Sequence, residues 1–169
     1  MEDGATDRLR LASPATAREA AERMFRSLRP RLAAVLPPDA AIEHVGATAV
    51  SGCLTKGDLD ISVQVGPEAF AAADLALSGL FERNTGSVRT DSFSAFKCDE
   101  VRPPVGIQLV VRGAPLDVFV RFRDSLLADP ALIERYNALK RSQEGAEMRA
   151  YRAAKSAFIA SVLGRSAGG

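Results

Sequence analysis

Asp58 and Asp60 stand two residues apart in Lys56-Gly57-Asp58-Leu59-Asp60-Ile61-Ser62-Val63-Gln64-Val65, where polar and apolar residues alternate. Strand side chains alternate sides with period two. The run therefore places Leu59, Ile61, Val63 and Val65 on one face and Asp58, Asp60, Ser62 and Gln64 on the other. Carboxylates at successive same-face positions lie roughly 6.5–7 Å apart along the backbone, a spacing that lets both side chains converge on one hard divalent cation. A wet strand face shows alternate acids for solvation alone, and a lone Asp-x-Asp matches by chance often. The preceding residues, Glu43-His44-Val45-Gly46-Ala47-Thr48-Ala49-Val50, shift the balance. Gly46 permits close backbone approach and unusual dihedrals, while Thr48 and the N–H groups of the turn suit phosphate oxygens held opposite a metal.

The C-terminal third supplies cations for such a site. On a helix turning 100° per residue, Leu116, Phe119, Val120, Arg123 and Leu127 fall on one side, with Arg123 inside the apolar stripe. Lys155 lies likewise in the stripe of Tyr151, Phe158 and Val162, and Lys140 at the margin of one defined by Leu132, Tyr136 and Leu139. Long cationic side chains can bury their stems and keep their heads wet. An inward unpaired charge costs several kcal/mol, so these cations call for acids or a bound anion. Asp58 and Asp60, or a triphosphate on a metal, would meet them.

A glycine turn leading into a strand with Asp-x-Asp resembles the nucleotidyltransferase superfamily. Ile42 to Val50 with Lys56 to Ile61 resembles the GrpB family more narrowly, whose usual form is close to IEHVGSTAVPGL followed by KPIIDI. Phe122-Arg123-Asp124, Asp129-Pro130, Tyr136 to Lys140, and Tyr151 with Lys155 and Phe158 match further family patterns, in order, over about residues 30 to 163. The resemblance implies an α/β (α+β) fold: a nucleotidyltransferase-like mixed sheet packed against helices, with a helical C-terminal third. It implies Mg2+ or Mn2+ on Asp58 and Asp60, an NTP as substrate, and charge neutralisation by Lys155 and Arg123. His44, Gly46, Ala47, Thr48, Lys56, Lys140 and Tyr151 would line the nucleotide and phosphate positions. A lone histidine beside a buried strand also serves structure alone, and His44 carries both readings.

This chain departs from the pattern in three places. Ala47 stands where active nucleotidyltransferases usually have Ser, leaving only Thr48 to offer a hydroxyl. Gln108 stands where many GrpB relatives carry His, and no third carboxylate is evident on a neighbouring strand. Asp117, Asp124 and Glu43 are the candidates to complete the site.

The 169 residues suit one domain with a real core, expected over residues 13 to 163 between a flexible arm at 1–12 and a polar tail at 164–169. A net charge of +1 leaves a nucleic-acid partner unsupported. Cys53 and Cys98 fit no zinc or redox spacing and read as reduced thiols. With no signal peptide at Met1-Glu2-Asp3-Gly4 and no transmembrane run, the expected location is cytoplasmic and away from membranes.

Apolar spacing predicts a first helix from about Ser13 or Thr16, kinked or split at Pro30. Strands follow at about 41–45 and 58–65, then a helix from Gly66-Pro67 through Phe81, and strands near 93–99 and 106–112. Helices at about 115–128, 130–142 and 146–163 complete the chain, the second capped by Asp129. Two functions fit: a metal-dependent enzyme moving a nucleotidyl group to, or activating, an unidentified small-molecule or protein acceptor, and a noncatalytic nucleotide- or partner-binding module of the same fold. Oligomeric state is open.

Overall fold

Leu59, Ile61, Val63 and Val65 are each 0% exposed, so the alternation read from the sequence is the alternation of a strand with one face sealed. Removing each such side chain from water is worth roughly 1.5–3 kcal/mol. The computed structural model describes residues 7–166. Five strands, β1 (Ala41–Val45), β2 (Leu59–Val65), β3 (Glu82–Arg83), β4 (Phe93–Cys98) and β5 (Val105–Val111), form one sheet in the order β1-β2-β5-β4-β3. The β2–β5 pair is parallel and the other pairs are antiparallel.

Helices α1 (Pro14–Ala33) and α2 (Phe70–Ser78) cover the apolar face. Ala21, Leu28 and Leu32 of α1 and Phe70, Ala73 and Leu77 of α2 join the β2 side chains in the main core. Pro30 does not split α1: it lies in the final turn, and the helix ends three residues later at Ala33, where the missing N–H removes little of the ladder. The remaining helices, α3 (Phe119–Ala128), α4 (Pro130–Gln143) and α5 (Met148–Ser166), build a second core around Phe122, Leu126, Leu132, Tyr136 and Val162. Asp129 caps α4 by accepting from the Ala131 N–H at 3.0 Å.

Two sequence expectations differ in detail. Residues 7–12, expected within a flexible arm, are docked: Leu9 is 1% exposed against Met148 and Tyr151, and its N–H donates to Ala146 O at 3.0 Å. A single buried leucine with main-chain partners on both sides gives no periodic signal. Residues 1–6 lie outside the described residues, as do 167–169 of the tail. The helix expected from 115 begins at Phe119, since Pro115 and its neighbours form turns closed by the bond from Asp117 N–H to Ala114 O.

A polar clasp holds the far side of the sheet. Arg83 donates to both Asp74 oxygens at 3.0 and 2.9 Å, and the buried Ser94 hydroxyl donates to Oδ1 at 2.6 Å. Arg83's hydrogen bonds, above all, hold the Asp74 carboxyl below its ordinary value. Asp74→Ala is therefore expected to lose about 1.5–3 kcal/mol at neutral pH, the usual range for bonds to a charged group. An acid with a depressed folded pKa contributes stability that is present above its ordinary value of 3.8 and lost as pH falls through the folded value. The gap in melting temperature between wild type and variant should accordingly narrow as pH falls below about 4; a gap that stays the same all the way down the acid limb would rule out the ionic clasp.

Candidate functional site

Asp60 projects from the face of β2 opposite the main core. Gly106 of β5 lies beside it in register, and Gly46 closes the other side. A Cβ on Gly106 would stand 3.1 Å from Asp60 Oδ1, and one on Gly46 would stand 2.6 Å from Oδ2. The two glycines therefore make the space the carboxylate occupies. Gly46 has φ 76° and ψ −174°, a region that glycine alone adopts readily. Burial raises the Asp60 carboxyl above its ordinary value and the charge of Asp58 raises it further, while Lys155, Lys56 and Lys140 draw it back.

Asp58 lies just ahead of β2 and its Oδ2 is 2.7 Å from Lys56 Nζ. Its carbonyl accepts the Thr48 hydroxyl at 3.0 Å, and Thr48 Oγ1 is 2.9 Å from His44 Nε2. Since the single Thr48 proton is committed to Asp58, His44 must donate from Nε2. Burial pushes the His44 pKa down to about 4, so the ring is neutral at pH 7, and it packs 5.5 Å from the Phe25 ring. Thr48 is 1% exposed. His44 and Thr48, both expected toward phosphate, thus form a relay that fixes the backbone at Asp58. Ala47 packs toward the second core.

Two of the expected cations are committed elsewhere. Arg123 is inward, but its guanidinium donates to Glu43 Oε2 at 2.7 Å and His44 O at 3.0 Å, bracing β1 in place of the acidic pair. Lys140, at the margin of its stripe by sequence, is 2% exposed; its ammonium donates to Leu54 O, contacts Cys53 Sγ at 3.6 Å and sits 4.1 Å over the Tyr136 ring. Burial pulls its pKa down to about 8. Together with Asn137, whose amide bonds Gly52 O and the Leu54 N–H, Lys140 fastens the loop between the glycine turn and β2.

Lys155 and Tyr151 remain with the acids. A cavity of about 400 Å3 is lined by Asp58, Asp60, Lys56, Lys97, Arg152 and Lys155, with Tyr151 in its wall. An adjoining recess of about 770 Å3 shares Lys56 and Asp58 and adds Arg8 and Arg10. On the other side of Asp60 lies a slot of about 80 Å3 walled by Val118, Phe119, Phe122 and Ile159. Asp60, Gln108 and Lys155 line both the larger cavity and the slot. Lys97 and Arg152 were missed from sequence, and Gln108 was noted only as a departure from the family pattern. Gly106 inside a strand pattern was the available signal, since such a glycine marks close approach, and Lys97 is its register partner on β4.

None of the three candidates for a third carboxylate joins the acidic pair. Asp117 accepts from Gln64 Nε2 and the Gly113 N–H at 2.7 and 2.8 Å, while Glu43 and Asp124 are both paired with Arg123. Among the described residues, no three His, Cys, Asp or Glu side chains gather around one point. Two carboxylates are nevertheless enough for Mg2+, which ordinarily takes one or two and completes its octahedron with water and substrate phosphate. The residues fit an ion that arrives with a triphosphate.

The fold has counterparts in solved structures. The conserved protein GrpB from Enterococcus faecalis superposes with a TM-score of 0.66 at 18% identity, over 90% of this chain and 93% of that one. Cid1, in complex with its short product ApU, superposes with a TM-score of 0.51 at 14% identity, over 76% of this chain and 40% of that one. The fold is thus nucleotidyltransferase-like. In sequence, a UPF0157 protein of Vibrio cholerae is 38% identical over 146 residues, 86% of this chain and 77% of the relative. The GrpB family model matches residues 15–165, from the first helix to the end of the last, and on that match the chain belongs to the GrpB family.

Proposed function

We propose that this protein binds a nucleoside triphosphate together with Mg2+ or Mn2+ and transfers its nucleotidyl group to, or uses it to activate, a small-molecule or protein acceptor in the cytoplasm. The carrying observation is the Asp60 carboxylate, lodged between Gly46 and Gly106 at the wall of a cavity lined by Lys56, Lys97, Arg152 and Lys155. Desolvating an acid is costly, and glycines on both sides that leave room for it are a sign of use. Cid1, solved in complex with its short product ApU, supplies the fold-level analogy. The free thiols of Cys53 and Cys98 suit a reducing compartment.

Asp58 and Asp60 would hold the ion, which when bound offsets phosphate charge. Lys155, reaching into the cavity from α5, would stand against the triphosphate as negative charge builds on the leaving group. Lys56 and Arg152 would add to that positive lining. An acceptor oxygen or nitrogen gives its lone pair to the α-phosphorus as the bond to the bridging oxygen breaks. Pyrophosphate leaves with that electron pair, and the acceptor proton is released to water.

That no third acid converges with Asp58 and Asp60 on one point among the described residues favours a second reading, a module that binds nucleotide without turnover. Calorimetric titration of each NTP, with and without magnesium, on wild type and on an Asp58→Ala, Asp60→Ala double variant tests both. Magnesium-dependent binding lost in the variant is the expected result. A folded wild-type protein that binds no NTP would overturn nucleotide binding altogether. Binding without pyrophosphate release across a panel of amine and hydroxyl acceptors would select the module.

A further inference from the structure

We infer that the slot beyond Asp60 is the acceptor subsite, and that it takes the two- to four-carbon body of a molecule whose amine or hydroxyl head is held by Gln108. This rests on the nucleotidyl-transfer reading and names the class of its second substrate.

The two cavities that meet at Asp60, Gln108 and Lys155 differ in both size and chemistry. The larger, at about 400 Å3, is lined by cations and acids. The smaller, at about 80 Å3, is walled by Val118, Phe119, Phe122 and Ile159. An apolar protein cavity of about 150 Å3 admits benzene. A slot half that size excludes a benzene ring and therefore a nucleobase, and it has no room for a triphosphate. The nucleotide belongs in the large cavity, and what enters the slot is a small aliphatic group.

The head group follows from an unpaired atom. Gln108 Oε1 is buried with no hydrogen-bond partner, and so is the hydroxyl of Ser62, its register partner on β2, which is 0% exposed. A buried acceptor left unmade costs about 1–3 kcal/mol, and here two stand at paired positions of the central strands. An N–H or O–H donor on a slot ligand would satisfy Gln108 Oε1. The donor atom would then lie where Asp60 and Lys155 line both cavities, at the one junction between acceptor and nucleotide. Gln108 is in this arrangement a positioning residue.

The test is a methyl and aromatic NMR titration of the full chain, free of nucleotide and metal. Isobutylamine and isobutanol are the fitting probes and benzylamine the oversized one. The fitting probes should shift Val118, Phe119 and Ile159 saturably at millimolar concentration, with benzylamine giving no saturable shift. Gln108→Leu, which replaces an unpaired polar group by an apolar one and should fold at least as well, is expected to weaken both fitting probes at least fivefold. Val118→Phe, which fills the slot, should abolish binding. Absence of saturable shifts, equal binding of benzylamine, or unchanged affinity in Gln108→Leu would each overturn the assignment. The titration uses no nucleotide, so a slot that fails here leaves the magnesium-dependent NTP result standing, and the reverse.

Discussion

Asp60→Asn is expected to raise the melting temperature at pH 7.5 while abolishing magnesium-dependent NTP binding. The carboxylate is held in a desolvated position by Gly46 and Gly106, and burial lifts its pKa above the ordinary value of 3.8. An acid with a raised folded pKa contributes stability that is fully present below its unfolded value and lost as pH rises through the folded one. At neutral pH the charge is therefore a liability to the fold, and the near-isosteric amide removes it. Removing that cost should raise the melting temperature by a few degrees, since about 1 kcal/mol corresponds to about 2–4 °C in a chain of this size. The advantage of the variant should shrink toward zero as pH falls to about 3.5. Thermal melts at several pH values with parallel calorimetry check both halves. A variant less stable than wild type at pH 7.5 would show that Lys155 and its neighbours already compensate the charge, and that Asp60 is a structural ion-pair partner.

Gly46→Ala changes no charge and is expected to be nearly as damaging to binding. The backbone at φ 76°, ψ −174° is one that alanine avoids, at about 1–3 kcal/mol. The new methyl would also lie 2.6 Å from Asp60 Oδ2, so the carboxylate must move. Gly113→Ala is the control: φ there is 81°, but an added Cβ meets nothing within 4 Å. Both variants should lose stability in denaturant titrations, and Gly46→Ala alone should lose NTP binding. Wild-type affinity in Gly46→Ala would detach the glycine turn from the site.

The strand with the acids was legible because alternation is a local property, and the structure seals every residue assigned to its apolar face. The cap at Asp129 was legible for the same reason. Helix faces were harder. The stripe through Leu116, Phe119, Arg123 and Leu127 is off by one position: Leu116 and Leu127 are exposed, and Phe122 and Leu126 fill the core. A 3.6-residue period fixes the pitch of a stripe but sets its azimuth loosely, and the mistaken start at Pro115 carried Leu116 into it. The roles of the cations were not legible at all. Lys140 finds its partners in Cys53 and Leu54, and Arg123 in Glu43 and His44, across sequence separations that no local pattern encodes. Two inward cations proved to be ties between elements, and Lys155 alone of the three lines the cavity beside Asp60.

The docking of residues 7–12 bears on how the recess beside Asp58 opens. Leu9 exchanges main-chain bonds with Gly145 and Ala146, the Met148 N–H donates to Asp7 O, and Arg8 reaches Gly145 O from 137 residues away. Contacts that close so long a loop are made late in folding, and a short seam of this kind unzips at far lower free energy than the sheet ladders. Asp7, Arg8 and Met148 are also rim residues of the recess. Any fraying of the seam would therefore widen the mouth of the charged recess, while β2, β5 and the glycine turn would keep the acids in place.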